Sequence, residues 1–269
     1  MQSDEKQREP GLRRPRPASQ REGEILDLVT RAGGNMRIQA IAQALDVTEE
    51  TVRRNVRRLS DQGLVQKVHG GVHLLKNTIE LSFAERMDEN PVPKMRIAAH
   101  VAALIQNGQS LFLDVGSTTA YIAEALKNHS GLFVVTNSVV VAYALAARND
   151  NRVFIPGGEL RAHDGGVFGA GVSDFMQNFR ADLAILSAAA IDARTGFMLY
   201  DLEEARVTRA MMARADRRIV AADSSKFGRK APIAVGDPAQ VNMLVCEKAP
   251  PEDLARAARG WGTEIVVAR

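Results

Sequence analysis

The stretch Thr48-Glu49-Glu50-Thr51-Val52-Arg53-Arg54-Asn55-Val56-Arg57-Arg58-Leu59 constrains this chain more than any other. At about 3.6 residues per turn, Val52, Val56 and Leu59 fall on one side of a helix, as a core-facing stripe requires. Glu50, Arg54, Arg57 and Arg58 gather on the opposite side, with Arg53 on one flank and Asn55 on the other. Thr48 stands where an N-cap hydroxyl belongs, and Glu49 and Glu50 suit the positive end of the helix dipole. Just upstream, Ile38, Ile41, Ala42 and Leu45 mark a second short amphipathic helix, and Asp46-Val47 makes the tight turn between the two. A single basic helix is more often a solvated charged face. Two short helices across such a turn, the second presenting arginines outward, instead predict a helix-turn-helix that reads double-stranded operator DNA.

The flanking segments complete a domain expected over 20–75. Ile25, Leu28 and Val29 form one face of a leading helix that Gly33-Gly34 ends. Asp61-Gln62-Gly63 closes the recognition helix. Leu64-Val65-Gln66-Lys67-Val68 then reads as a strand, His69-Gly70-Gly71 as a turn and Val72-His73-Leu74 as the returning strand. That hairpin is the wing of a winged helix-turn-helix; Lys67 and His69 either reach phosphate or the minor groove or simply build the hairpin. The residues expected to meet DNA are Thr48, Glu50, Thr51, Arg53, Arg54, Asn55, Arg57, Arg58, Lys67 and His69. Residues 1–19 are basic and proline-bearing with little to bury, so a disordered tail is expected there. Residues 76–93 read as a linker ending in Pro91-Val92-Pro93, with a short helical piece around Leu81–Arg86.

Charge placement supports this division. Residues 1–76 carry 14 Lys and Arg against 10 Asp and Glu, a net of +4, while the remaining chain carries 21 against 22, a net of −1. The basic excess therefore sits on the end expected to neutralise phosphates. Cys246 is the only cysteine, which excludes an intrachain disulfide and a cysteine-based metal site and suits a reduced cytoplasm, at the nucleoid. No apolar run approaches the roughly 20 residues that span a bilayer, and the N-terminus lacks an apolar signal-peptide core. No membrane partner is expected.

From Lys94 onward, short apolar strands alternate with helices. Strands are expected at Leu111–Val115, Leu132–Thr136, Val153–Pro156, Leu183–Ser187, Arg218–Ala222, Val241–Val245 and Glu264–Ala268. Helices fall between many of them, around Ile97–Ile105, through Leu126, at Ser138–Ala147, Val172–Phe179 and Glu203–Ala215. This pattern predicts an α/β domain over 94–269 with a mostly parallel sheet covered on both faces. Ligands of such sheets bind beyond the carboxyl ends of the strands. Polar loops fall at those ends: Asp114-Val115-Gly116-Ser117-Thr118-Thr119; Thr136-Asn137-Ser138; Pro156-Gly157-Gly158-Glu159-Leu160-Arg161 with a flexible His163-Asp164-Gly165-Gly166; and Asp223-Ser224-Ser225-Lys226. The first runs from strand to helix, offers hydroxyls and unpaired helix N–H groups, and suits a phosphate, although a plain helix start would look the same. Arg161 is either a bidentate phosphate clamp or a salt-bridge partner. The effector-binding set is Asp114, Gly116, Ser117, Thr118, Thr119, Thr136, Asn137, Gly157, Gly158, Arg161, Glu204, Asp223 and Lys226, for a small, hydroxyl-bearing, phosphorylated ligand.

These motifs resemble the DeoR-type transcriptional regulators over nearly the whole chain after residue 20. The resemblance rests on Thr51-Val52-Arg53-Arg54 with Leu59, Gly63-Leu64 and His69-Gly70-Gly71, then on Asp114 to Thr119, Val135-Thr136-Asn137, Gly157 to Arg161, Asp164-Gly165-Gly166 and Asp223 to Gly228. It implies a sugar-phosphate-sensing domain similar to ribose-5-phosphate isomerase, sn-glycerol 3-phosphate as the expected effector, repression of carbohydrate genes, and a homo-oligomer. Three positions depart from the family pattern. Asn55 replaces an acidic residue, Ala189-Ala190-Ile191-Asp192 replaces a stretch with Ser-Gly before Ile-Asp, and Thr208 replaces a frequent lysine. The rival reading is a sugar-phosphate isomerase with an accessory DNA-binding domain. Asp114, Asp192, Glu204 and Lys226 are candidate bases by residue type only, and their spacing assembles no catalytic set. The expectation is therefore no enzyme, no cofactor and no metal.

Overall fold

The computed structural model describes residues 20–32, 35–61, 64–68, 70–74 and 83–269. The expected tail at 1–19, the Gly33-Gly34 helix stop, Gln62-Gly63, His69 and the linker stretch 76–82 lie outside the described residues. The chain divides into two compact units, Met1–Ile79 and Glu80–Arg269.

In the first unit, α1 (Gln20–Arg31), β1 (Asn35–Arg37), α2 (Ile38–Ala44) and α3 (Glu49–Asp61) precede the hairpin β2 (Val65–Val68) and β3 (Gly71–Leu74). The three strands form an antiparallel sheet in the order β1-β3-β2. Strand β1 is an addition to the expected elements; three residues carry no usable period, and only their pairing with residues 71–73 makes them a strand. The turn between α2 and α3 closes as expected, with Asp46 at φ 51° and the Val47 N–H donating to the Ala42 carbonyl at 3.0 Å. Ile25, Val29, Ile38, Ile41, Val52, Val56, Leu59, Val65 and Val72 pack into one core. Those side chains come from all three helices and both hairpin strands, so the core fixes α3 against the wing.

In the second unit, α4 (Phe83–Asp88) and α5 (Pro91–Ala103) lead into β4 (Ser110–Leu113), α6 (Ser117–Ala125), β5 (Phe133–Thr136), α7 (Val139–Leu145), β6 (Arg152–Phe154) and α8 (Ala170–Gln177). There follow β7 (Ala181–Leu186), β8 (Ala190–Asp192), β9 (Gly196–Leu199), α9 (Leu202–Ala213), β10 (Ala215–Ala221), β11 (Ile233–Ala234), β12 (Met243–Cys246), α10 (Glu252–Trp261) and β13 (Glu264–Val267). Seven strands make one parallel sheet, in the order β13-β12-β10-β7-β4-β5-β6. Strand residues alternate between two cores. Leu111 and Leu113 join Ile97, Val101 and Ile122 on one face, whereas Phe112 joins Val172, Met176 and Met211 on the other. All seven expected strands are present, and every loop singled out from the sequence leaves the carboxyl end of one.

Two features depart from expectation. Pro91-Val92-Pro93 is the first turn of α5 rather than the end of a linker; proline is suited there because a first-turn N–H has no intrahelical acceptor. A small antiparallel sheet, β11-β9-β8, accompanies the main one. Asp192 closes its β8–β9 turn by accepting from the N–H groups of Arg194 and Thr195 at 3.0 and 2.6 Å. Among the described residues, no helix is long and apolar enough to cross a membrane.

Candidate functional site

Helix α3 starts as its sequence requires. Thr48 Oγ1 accepts from the Thr51 N–H at 3.3 Å, satisfying one of the orphan donors at the helix start. The opposite face carries the arginines, but they are not equivalent. Arg53 donates to Glu49 at 2.7 Å one turn back, and Arg58 lies 3.8 Å from the buried Glu22 of α1. Arg54 and Arg57 are exposed and make no ion pair among the described residues. Glu50 and Lys67 are exposed as well. Arg53 and Arg57 line an open groove with Lys67, Val68, Gly70 and Gly71 of the wing. Asn55 corrects the sequence reading. It is only 5 % exposed, and its Nδ2 donates to the Thr51 carbonyl at 2.8 Å. A residue at the margin of the apolar stripe is drawn into the core once its amide finds a backbone acceptor one turn back.

In the second unit the polar loops meet at the carboxyl ends of β4, β5, β7 and β10. Asp114 follows β4 and is buried; its Oδ2 accepts from the Ser187 N–H at 2.7 Å and from Ser187 Oγ at 3.2 Å. Its Oδ1 is buried without a hydrogen-bond partner among the described residues, as are Asn137 Oδ1 and Asp223 Oδ2. Ser117, Thr118 and Thr119 are the buried first turn of α6, and Thr119 Oγ1 donates to the carbonyls of Asp114 and Gly116 at 3.0 Å each. Gly116 has a purpose other than ligand approach: a Cβ there would stand 2.6 Å from Ser187 Oγ. Thr136 Oγ1 accepts from the Ser138 N–H at 3.0 Å and so shapes the turn that carries Asn137.

Two elements absent from the sequence-derived set complete this cluster. Lys94 of α5 is fully buried, and its Nζ donates to the Arg86 carbonyl and, at 2.6 Å, to the Glu89 carbonyl. Burial holds its pKa below the ordinary lysine value, with Asp223 opposing that shift and Lys226 adding to it. Asp223 in turn accepts from Asn90 Nδ2 at 3.2 Å and from the Ser225 N–H at 3.0 Å through Oδ1. Arg86 of α4 is buried and acts electrostatically on both Asp114 and Lys94. Lys94, Arg86 and the buried Lys226 thus supply positive charge near the carboxyl groups of Asp114 and Asp223, each with one oxygen lacking a donor among the described residues.

Arg161 takes the second of its two readings, as a salt-bridge partner. Its Nε donates to both oxygens of Asp164 at 3.1 and 3.0 Å, and its terminal nitrogens lie 3.3 Å from Asp201 and 3.5 Å from Glu204. The guanidinium also stacks 3.7 Å over the Phe168 ring. Burial would raise the Asp164 pKa, but hydrogen bonds and charge from Arg161 outweigh it and hold the carboxyl below its usual range. One cation among three carboxylates is no clamp for a phosphate; Arg161 fixes the loop. The stretch expected to be flexible is a built turn: Gly166 N–H donates to Asp164 Oδ1 at 3.0 Å, Val139 N–H to the Gly165 carbonyl at 3.1 Å, and Val167 N–H to the Asn137 carbonyl at 2.8 Å. Gly157 and Gly158, after β6, are exposed. Glu204 is buried within the Arg161 cluster. Thr208 is buried and returns its hydroxyl to the Glu204 carbonyl at 3.0 Å.

Burial pushes the Asp114 carboxyl up to about 7, against donors from Ser187 and Thr119. An unfolded aspartate titrates near about 3.9, so between about pH 4 and about pH 7 the folded protein holds the extra proton. The stabilising contribution of this group is therefore complete below that window and lost as pH rises through it. Asp114→Asn should be more stable than the wild type at about pH 8, by a few kcal/mol at most, with the advantage shrinking toward about pH 4. Denaturant unfolding of both proteins across that range tests this; a gap that does not change with pH assigns the titration elsewhere.

A winged helix-turn-helix with outward arginines, in one chain with a parallel α/β unit that gathers buried polar groups at its strand ends, defines a DNA-binding regulator with a sensing domain. Residues 21–78 match the DeoR-like helix-turn-helix domain and residues 89–248 the DeoR C terminal sensor domain. The chain belongs to the DeoR family. It is 35% identical over 247 residues to the HTH-type transcriptional repressor CsqR of Escherichia coli (strain K12), covering 92% of this chain and 94% of that one. Identity to the glycerol-3-phosphate regulon repressor of the same organism is also 35%, over 233 residues, covering 87% of this chain and 92% of that one. Among solved structures, ribose 5-phosphate isomerase A of Methanocaldococcus jannaschii aligns with a TM-score of 0.38 at 17% identity, over 53% of this chain and 56% of that one.

Proposed function

We propose that this protein is a transcriptional repressor whose affinity for operator DNA falls when a small phosphorylated polyol, sn-glycerol 3-phosphate, binds the second unit, and that it controls glycerol or related carbohydrate genes. The observation that carries the reading is the pairing of unsatisfied buried acceptors on Asp114, Asn137 and Asp223 with buried cations at Lys94 and Lys226. Acceptors without donors suit ligand hydroxyls, because leaving a buried polar group unpaired is costly. The first turn of α6, with Thr118 and Thr119, and the two ammonium groups suit a phosphate. Relatives at the same 35% identity carry different names, so overall similarity does not choose the effector; the chemistry of the cluster supports the class, and the glycerol-3-phosphate repressor supports the member.

Arg54 and Arg57 are assigned to base edges, and Thr48, Thr51, Arg53, Arg58 and Lys67 to phosphates and positioning. A homo-oligomer fits, since two linked recognition helices raise operator affinity through effective concentration. The enzyme reading loses ground because two of its four candidate bases are otherwise engaged: Asp192 closes a turn and Glu204 faces Arg161. Calorimetry of the full chain with sn-glycerol 3-phosphate, fructose 1,6-bisphosphate and deoxyribose 5-phosphate tests the assignment. The expected result is binding of glycerol 3-phosphate, a stabilisation of about 2.7 kcal/mol at about 100 times its Kd, and weaker DNA binding. Binding of either sugar phosphate without glycerol 3-phosphate overturns the ligand and leaves the sensor.

A further inference from the structure

Several of the polar contacts that hold α4 in place are made by residues at the rim of the proposed effector site. Lys94 Nζ donates to the carbonyls of Arg86, in the last turn of α4, and Glu89, just beyond it. Tyr121, on α6, donates its hydroxyl to the Met87 carbonyl at 3.0 Å. Asn90, the left-handed residue at φ 52° that turns α4 into α5, donates to Asp223 at 3.2 Å. Lys94 lies beside Lys226 and Asp223, both assigned above to the ligand, and Tyr121 belongs to the helix whose first turn is assigned to the phosphate. Helix α4 is also the first described element after the DNA-binding unit, which ends at Ile79.

Lys94 grips the end of α4 through neutral carbonyls. An ammonium has three donors, and two carbonyls take two of them. Lys94 makes no ion pair among the described residues, although it is fully buried. Neutral carbonyls are the weaker kind of partner; a hydrogen bond between two charged groups is shorter and about twice as strong.

We propose that Lys94 transmits the effector signal: a ligand phosphate draws its ammonium off the Arg86 and Glu89 carbonyls, and the carboxyl end of α4 loses its clasp. The inference rests on the phosphorylated-effector reading above and adds how binding is communicated. A ligand shifts a conformational equilibrium only through contacts it makes better in one state. Here the difference is one ammonium with two alternative sets of partners, one on the ligand and one on the segment that leads to the DNA-binding unit. Positive charge near the last carbonyls of a helix stabilises that end, so its withdrawal loosens α4 specifically.

The test uses the full-length protein and its Lys94→Met variant, which keeps the apolar stem and removes the ammonium. Hydrogen exchange of the α4 amides is measured with and without sn-glycerol 3-phosphate, alongside calorimetry and operator binding. In the wild type the ligand should speed α4 exchange. In K94M that exchange should already be fast and indifferent to ligand, affinity should fall by about tenfold to a hundredfold, and operator binding should no longer respond. A merely structural lysine would not make wild-type α4 exchange respond to ligand, so that measurement stands even if the variant fails to fold. Slower or unchanged α4 exchange in the ligand-bound wild type overturns the proposal, as does a folded K94M that binds and responds normally. If the wild type binds none of the three phosphorylated probes, the sensor reading itself fails, and the transmission step with it.

Discussion

Thr118→Asp is expected to abolish the response to effector while leaving DNA binding intact. Thr118 is 4 % exposed in the first turn of α6, where the proposed ligand phosphate meets unpaired helix N–H groups. A carboxylate placed there satisfies those donors itself and repels the phosphate. At a separation of about 4 Å and an effective dielectric near about 20, two unit charges of like sign cost about 4 kcal/mol, equivalent to a loss of affinity of about a thousandfold. The same carboxylate suits the helix dipole, which favours retention of the fold; thermal unfolding checks this. Calorimetry with sn-glycerol 3-phosphate and DNA binding with and without it give the result. Unchanged affinity in a folded variant would move the phosphate away from α6.

The architecture was legible because it rests on periodicity. Seven apolar runs bounded by polar loops became the seven parallel strands, with ends shifted by a few residues. The stripe of Val52, Val56 and Leu59 became the buried face of α3. What escaped was short or nonlocal. Strands β8, β9 and β11 have three, four and two residues, too few to show a period. Helix α10 was readable in principle: Leu254 and Ala258 are buried one turn apart, and Glu252 and Asp253 form an acidic first turn behind Pro251.

Charged site residues were harder, because sequence places a lysine or arginine in solvent by default. Lys94 and Arg86 fell in or beside a supposed linker and are buried because α4 packs against α6, and α5 against α6 and β12. Arg161 was correctly placed in a polar loop, yet its partners Asp201 and Glu204 lie about forty residues away, beyond any local spacing rule. Asn55 sits at the edge of the apolar stripe, where helical angle alone does not decide exposure; its bond to Thr51 does. The strand-end loops were found because the location of ligands in parallel sheets follows from topology. Which of their side chains retain unpaired atoms follows only from packing.

The arginines of α3 give the second large effect, and the structure ranks them. Arg53 is engaged by Glu49 and Arg58 lies near Glu22, whereas Arg54 and Arg57 have no ionic partner among the described residues. An arginine already paired with a carboxylate must give up that partner to bind DNA; one that is unpaired brings its full donor fork to a guanine edge. Arg54→Ala should therefore weaken binding to an operator by about 1–3 kcal/mol relative to random DNA, a loss of specificity of about fivefold to 150-fold. Arg53→Ala should weaken operator and random DNA alike and lower the salt dependence by about one phosphate contact. Because the variants differ by one residue on one exposed face, their folded stabilities should match, and titrations at several salt concentrations separate the two roles. Equal losses for Arg54→Ala on both DNAs would make Arg54 a phosphate contact and shift base reading to Arg57, the other arginine on this face that no carboxylate among the described residues holds.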